Sequence, residues 1–107
     1  MFNYYLSTEE STIERLYEPY DLKYHGEIYS YGWRWTWYSE RVLPGGGLRI
    51  PGRHANEDGY ICDENGYICL ASSDLSKGSI VDTPFGYEGK VYDSGCPSGT
   101  LDVYVNW

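Results

Sequence analysis

The sequence predicts a small all-β domain with one short helix near its start. The chain has 107 residues, with 13 Tyr and 4 Trp, while strong helix formers such as Met and Lys are sparse. That balance favours strands. From residue 27 onward, apolar residues alternate with polar ones or form short runs between Gly- and Pro-rich turns. A chain of this length fits one domain with a single core.

The helix signal lies near the start of the chain. Ser7 and Glu10 have the spacing of a capping box. Three apolar residues then follow at helical spacing: Ile13, Leu16 and Tyr17. Because proline disrupts a helix interior, Pro19 is expected to end the segment. We therefore predict a helix over 8–17 within an acidic N-terminal extension.

A two-residue period begins at Glu27, where the main domain (27–107, after an extension of 1–26) is expected to start. Five aromatic residues occupy every second position: Tyr29, Tyr31, Trp33, Trp35 and Trp37. This pattern predicts one strand with a single aromatic face, most simply a buried sheet face. Two alternatives are stacking of the rings on sugars, and a homodimer formed through residues 29–37.

A short repeat in the middle of the chain predicts a hairpin. The tripeptide Tyr-Ile-Cys occurs at 60–62 and again at 67–69, after similar acidic and Gly residues. With Asn65-Gly66 as a two-residue turn, Cys62 stands opposite Cys69. Their Cα atoms would lie about 5.5 Å apart, a separation that allows a disulfide without requiring one.

The remaining chain reads as short strands at 79–81, 90–92 and 101–105, divided by Gly- and Pro-containing turns. Strands at such close spacing with no helices between them predict a small barrel or sandwich.

Charge and hydropathy restrict the partners. The net charge is −8, which argues against nucleic acid and anionic membranes. No apolar run approaches the roughly 20 residues of a membrane span, and the first 25 residues lack the features of a secretory signal. The sequence is therefore expected to be a cytoplasmic or phage-encoded protein, or a domain excised from a longer exported one.

Three aspartates with their flanking residues carry a family resemblance. They occur in Ser72-Ser73-Asp74-Leu75, in Val91-Tyr92-Asp93-Ser94-Gly95 and in Thr100-Leu101-Asp102-Val103. The order resembles the three-aspartate (3D) domain, related to membrane-bound lytic transglycosylase A and, more distantly, to rare-lipoprotein-A-like and expansin domains. The resemblance implies a six-stranded double-psi β-barrel that acts on peptidoglycan glycan strands in the cell wall, without metal or cofactor.

The resemblance also implies roles for individual residues. Asp102 matches the catalytic acid/base, and Asp93 and Asp74 match the two supporting aspartates. One carboxyl suffices when the sugar's own 6-hydroxyl is the nucleophile, provided that its pKa is raised towards neutrality. Four further residues are expected to bind the substrate: Tyr38, Arg53, Ser94 and Gly95.

Three other interpretations stay open. Each aspartate could simply accept backbone hydrogen bonds in a turn. The loop from Asp93 to Gly99 is shorter than in the family and contains Cys96, which leaves room for a non-catalytic glycan- or protein-binding barrel. Ser94-Gly95-Cys96 also resembles the nucleophile loop of L,D-transpeptidases, with His25 or His54 as the base.

A zinc site is not expected from this sequence. Three cysteines and one histidine could supply ligands by count alone: Cys62, Cys69, Cys96 and His54. Their spacing matches no compact zinc motif.

Overall fold

The fold is a mostly β structure in which a curled sheet carries one short α-helix. The computed structural model describes residues 13–42 and 49–107. Its elements, in chain order, are α1 (Pro19–His25), β1 (Glu27–Ser30), β2 (Trp33–Ser39), a 3₁₀ turn (Glu40–Val42), β3 (His54–Ala55), β4 (Ile61–Cys62), β5 (Ile68–Ala71), β6 (Ile80–Asp82), β7 (Glu88–Asp93) and β8 (Thr100–Val105).

All eight strands of the described residues belong to one sheet that curls into a half-barrel. Six strands run in the order β1-β2-β8-β5-β4-β3, and β7 pairs with both β5 and β6. The pairs β2·β8 and β5·β7 are parallel, and every other pair is antiparallel. The predicted all-β class is confirmed. Six strands were expected, whereas the described residues contain eight, two of which have only two residues each.

The helix lies further along the chain than predicted. Residues 13–17 are not helical, and residues 8–12 of the expected helix lie outside the described residues. Pro19 begins the helix instead of ending one. Proline suits the first helical position because the first N–H groups have no intrahelical partner. The Glu18 and Asp21 capping box then closes the N-terminus, and Leu22 is wholly buried in the core of the sheet.

The aromatic segment forms a hairpin, so the prediction of one continuous strand is wrong. Tyr31 and Gly32 make a two-residue turn with φ of 56° and 79°. The register then places Tyr29 beside Arg34, whereas Ile28 pairs with Trp35. Because paired residues share a face, Tyr29 lies on the opposite side of the sheet from Trp35. Alternation alone cannot reveal such a turn, since it continues on both sides.

The second hairpin forms with a register one residue away from the expected one. Asp63 Oδ1 accepts hydrogen bonds from the N–H groups of Asn65 and Tyr67, which closes a three-residue loop. Cys62 therefore pairs with Ile68 rather than with Cys69. A one-residue slip places the two thiols on opposite faces of the sheet. All three cysteines are free, so the disulfide that the predicted register would have allowed between Cys62 and Cys69 does not form.

The sheet separates a main core from a smaller apolar cluster on its other face. Leu101, Val103 and Val105 of β8 are wholly buried in the main core, together with Trp35. The alternate residues of the same strand turn away from it, and Tyr104 belongs to the smaller cluster. That second face carries the candidate site. Within the described residues, no helix is long and apolar enough to cross a membrane.

Candidate functional site

A small pocket opens on the face of the sheet opposite the main core. It has a volume of about 260 Å³. Its lining comes from four strands and one loop: Tyr38, Ala71, Asp93, Gly95, Asp102 and Tyr104. Four of these six residues were expected from the sequence to belong to the site, namely Tyr38, Asp93, Gly95 and Asp102.

The parallel strand pair β2·β8 forms one wall of the pocket. Its register pairs Thr36 with Asp102 and Tyr38 with Tyr104. Since residues two apart on a strand share a face, these four side chains project to the same side. The rings of Tyr38 and Tyr104 lie 5.9 Å apart between centroids. The wall is therefore one carboxyl with a hydroxyl beside it, followed by a pair of aromatic rings.

Strand β5 brings the second aspartate to the same pocket. Ala71 pairs with Asp102 on one side and with Asp93 on the other. A β-bulge lies between Leu70 and Ala71 in the pairing with β7, so that Asp93 rather than Tyr92 stands opposite Ala71. Bulges re-aim side chains in this way. Because alanine is small, it leaves space between the two carboxylates.

Asp102 is a half-buried carboxyl held by one side-chain donor. Thr36 donates its hydroxyl hydrogen bond to Oδ1 at 2.7 Å. Burial raises the pKa of Asp102 above its ordinary value, although the Thr36 hydrogen bond and the Arg34 charge both oppose the rise. Within the described residues, Oδ2 has no hydrogen-bond partner. A carboxyl of this kind holds its proton to higher pH and can give it to a group in the pocket.

Asp93 carries the other carboxylate and contacts the wall opposite. Its Oδ2 accepts a hydrogen bond from the Tyr104 hydroxyl at 3.1 Å, and its Oδ1 accepts one from the backbone N–H of Ser94. Burial and the charge of Asp93 raise the pKa of the Tyr104 phenol, which therefore stays protonated as a donor. The hydrogen bond holds the Tyr104 side chain against Asp93 at the pocket.

Asp74 lies outside the pocket and caps the loop before β8. Its Oδ2 accepts from the Gly99 backbone N–H at 2.6 Å, and its Oδ1 accepts from the Ser98 hydroxyl at 2.8 Å. These bonds lower the pKa of Asp74, the Gly99 bond contributing most. Asp74 therefore makes the kind of contact expected of an aspartate that stabilises a turn, which was the alternative to a catalytic role. These bonds hold the loop that also carries Gly95.

Two other expected binding residues do not line the pocket. Arg53 donates to Oε1 of Glu40 at 2.6 Å, which ties the segment before β3 to the 3₁₀ turn after β2. Ser94 is exposed at the rim. Its backbone N–H supports Asp93, which is its contribution to the site.

Cys96 lies beside the pocket in surroundings unsuited to a nucleophile. Its thiol donates to the carbonyl oxygens of Ala71 and Thr100, at 3.2 and 3.4 Å. Burial raises the pKa of Cys96, and the nearby Asp102 raises it further. A reactive cysteine needs the opposite environment. His25 and His54 are both exposed, and neither is a hydrogen-bond partner of Cys96 in the part of the chain that the structure describes.

Three residues of the site were not predicted: Ala71 and Tyr104, which line the pocket, and Thr36, which supports Asp102. Tyr104 follows Asp102 by two residues, so strand alternation alone could have placed it on the same face. Thr36 and Ala71 reach Asp102 through pairings 66 and 31 positions apart in sequence, and no local pattern reveals such pairings.

Neither a metal site in the described residues nor a similarity to known proteins indicates what the pocket does. Among residues 13–42 and 49–107, no group of three or more His, Cys, Asp or Glu side chains is arranged to hold a metal ion. No protein-family model, no curated protein and no solved structure matches the chain. Function must therefore be argued from the chemistry of the pocket.

Proposed function

We propose that the protein cleaves peptidoglycan glycan strands as a lytic transglycosylase-like enzyme, with Asp102 as its single general acid/base. The observation that carries the proposal is the half-buried Asp102 carboxyl, which lines a pocket shared with Asp93 and two tyrosines. Burial raises the pKa of Asp102, which favours its protonated form, and the open pocket gives a substrate oxygen access to it.

The reaction needs one proton donor that later accepts a proton. Protonated Asp102 gives its proton to the glycosidic oxygen as the bond from that oxygen to the anomeric carbon breaks. The oxocarbenium-like centre that forms carries positive charge, which the Asp93 carboxylate stabilises. The 6-hydroxyl of the same sugar then attacks the anomeric carbon and returns its proton to Asp102. A 1,6-anhydro sugar forms without water, and the acid is regenerated.

The protein supplies positioning as well as the proton. Thr36 holds one oxygen of Asp102, which leaves the other oxygen to face the substrate. The exposed ring of Tyr38 and the hydroxyl of Tyr104 offer an apolar face and a polar group against which a sugar can bind.

The strand arrangement supports the proposed family. A double-psi barrel contains parallel strand pairs between segments distant in the chain, and both β2·β8 and β5·β7 are pairs of this kind. The three-aspartate resemblance supports a location in the cell wall, where the proposed substrate lies. Both the barrel topology and this location belong to the proposal.

The products distinguish this reaction from ordinary hydrolysis. We expect purified sacculi incubated with the protein in H₂¹⁸O to release 1,6-anhydro-muropeptides that contain no label. Reducing-end products labelled with ¹⁸O would instead indicate a hydrolase. Cys96→Ser should retain activity, and its loss in a folded Cys96→Ser variant while Asp102→Asn stays active would indicate a thiol enzyme.

A second candidate function is glycan binding without cleavage. It is favoured by exposed tyrosines near the pocket strand: Tyr29, which is 69% exposed, shares the pocket side of the sheet, and Tyr31 in the adjoining turn is 48% exposed. In that case wild-type protein would bind sacculi, release no product, and bind equally well after Asp102→Asn.

A further inference from the structure

A second and larger groove lies at the tip of the β1–β2 hairpin. Its volume is about 550 Å³, and its lining includes three aromatic residues, Tyr29, Tyr31 and Trp33, together with Arg34 and Gly99. Arg34 donates to Glu27 Oε1 at 2.5 Å and to the Thr100 hydroxyl. The groove is thus aromatic on its walls, with a guanidinium held in place at its edge.

The hairpin turn carries a residue that the turn itself disfavours. Both central residues of the turn have positive φ, a conformation that normally selects Asn or Gly. Tyr31 adopts it with a φ of 56° and lines the groove with a ring that is half-exposed. Backbone strain of this kind points to a role for the side chain beyond the turn.

Two residues of the groove, Tyr29 and Arg34, lie on the same side of the sheet as the Asp102 pocket. Arg34, Thr36 and Tyr38 are alternate residues of β2, and they pair in register with Thr100, Asp102 and Tyr104 of β8. The stretch from Arg34 to Tyr38 spans about 13 Å at the usual strand rise of ~3.3 Å per residue. Asp102 stands midway along it. A single extended ligand could therefore contact both the groove and the pocket.

We propose that this groove is a second glycan-binding subsite, which holds sugars of the same strand whose glycosidic bond lies at Asp102. The inference rests on the proposed function, because it takes the cleaved glycan as the occupant. The apolar faces of pyranose rings fit against Tyr29 and Tyr31. The Arg34 guanidinium can donate to hydroxyl or carboxylate oxygens of the strand.

Binding measurements on an inactive background test the subsite. Asp102→Asn protein would be titrated with short and long peptide-free glycan strands, with and without a second change. Tyr31→Asn removes the ring and leaves a residue suited to positive φ, and Tyr29→Ala removes the other ring. Tyr24→Ala is the control, since this tyrosine is 75% exposed on α1 and is not part of the groove. We expect the two groove variants to weaken long-strand binding roughly three- to tenfold, while the Tyr24 control does not.

The outcomes separate the subsite from the catalytic proposal. Product release by wild type, together with long-strand affinities that Tyr29→Ala and Tyr31→Asn leave unchanged, would overturn the subsite alone. Groove-dependent binding without any product would overturn catalysis alone. Absence of both binding and product would overturn both proposals.

Discussion

Asp93 and Asp102 lie on opposite sides of strand β5, each paired in register with Ala71, and their carboxylates line one pocket. The arrangement joins three strands, of which β7 reaches it through a bulge. Asp102 has a raised pKa because it is half buried, while Thr36 supports its ionised form. This balance between burial and hydrogen bonding leads to the first two predictions.

Replacing Thr36 with Val should raise the pKa of Asp102 further. Valine has nearly the same shape and removes the donor that favours the ionised carboxylate. The expected cost in stability is about 1 kcal/mol, typical of one hydrogen bond. Carboxyl ¹³C NMR titration measures the pKa directly, and the alkaline limb of the pH–activity profile should move up with it. Thr36→Ser keeps the donor and is the control. An Asp102 pKa that is unchanged or lower in the Val variant would contradict the role given to Thr36.

Asp102→Asn should stabilise the protein at neutral pH and not in acid. Because burial raises the folded-state pKa above the ordinary ~3.9, the ionised carboxyl costs stability once the pH exceeds that ordinary value. Asparagine has no such pH-dependent cost. The difference in free energy of unfolding between variant and wild type should therefore shift in favour of Asn as the pH rises from 3 to 7. Urea denaturation at both pH values measures it, and a shift in the opposite direction would refute the raised pKa.

The cysteines should behave as three unpaired thiols. Cys62 and Cys69 lie on opposite faces of the sheet, and burial raises their pKa values to about 11 and about 12. We expect thiol counting after unfolding without reductant to find all three. Alkylation of Cys62 and Cys69 in the folded protein at pH 8 should be slow. Recovery of only one thiol would show that a disulfide forms.

An ion pair whose residues do not line the pocket should make stability depend on pH in the acid range. Asp58 accepts hydrogen bonds from Arg15 and Tyr87, which fastens the N-terminal segment to the sheet. Burial raises the pKa of Asp58, but these two bonds outweigh it, and the net pKa is lowered. The resulting stability is present above the ordinary carboxyl pKa and is lost as the pH falls through the lowered one.

Asp58→Asn should consequently lower the free energy of unfolding at pH 7 by about 1 to 2 kcal/mol, since Arg15 is partly exposed and solvent screens the pair. The loss should disappear in strong acid, where the wild-type carboxyl is also neutral. Thermal unfolding across this pH range measures it. Asp82→Asn, at an exposed position of β6, is the charge-matched control. Equal effects of the two substitutions would rule out a specific role for the pair.

Local patterns in the sequence predicted the class of fold and part of the site. The composition and the closely spaced turns predicted strands, and the positions of β6, β7 and β8 agree with the predicted segments to within two residues. The family resemblance placed Asp93 and Asp102 in one expected site. Both line the pocket, together with Tyr38 and Gly95.

What the sequence did not reveal depends on register and on distant pairing. Pro19 can end one helix or begin another, and the choice depends on the capping residues that follow. Tyr31-Gly32 lacks the usual turn signature, so the alternating aromatics concealed a hairpin. The Asp63 side chain sets the register at Cys62, and the bulge beside Ala71 sets that of Asp93. Each depends on contacts that no local pattern encodes.

The most direct test of the central claim is the rate at which purified sacculi release 1,6-anhydro-muropeptides. Wild type and the Asp82→Asn control should release them at equal rates. Asp102→Asn, which keeps the fold and loses the proton donor, should be slower by at least ~10²-fold, the usual contribution of a general acid/base. Release by folded Asp102→Asn at the wild-type rate, or no release by wild type, would contradict the assignment of Asp102 as the catalytic acid/base.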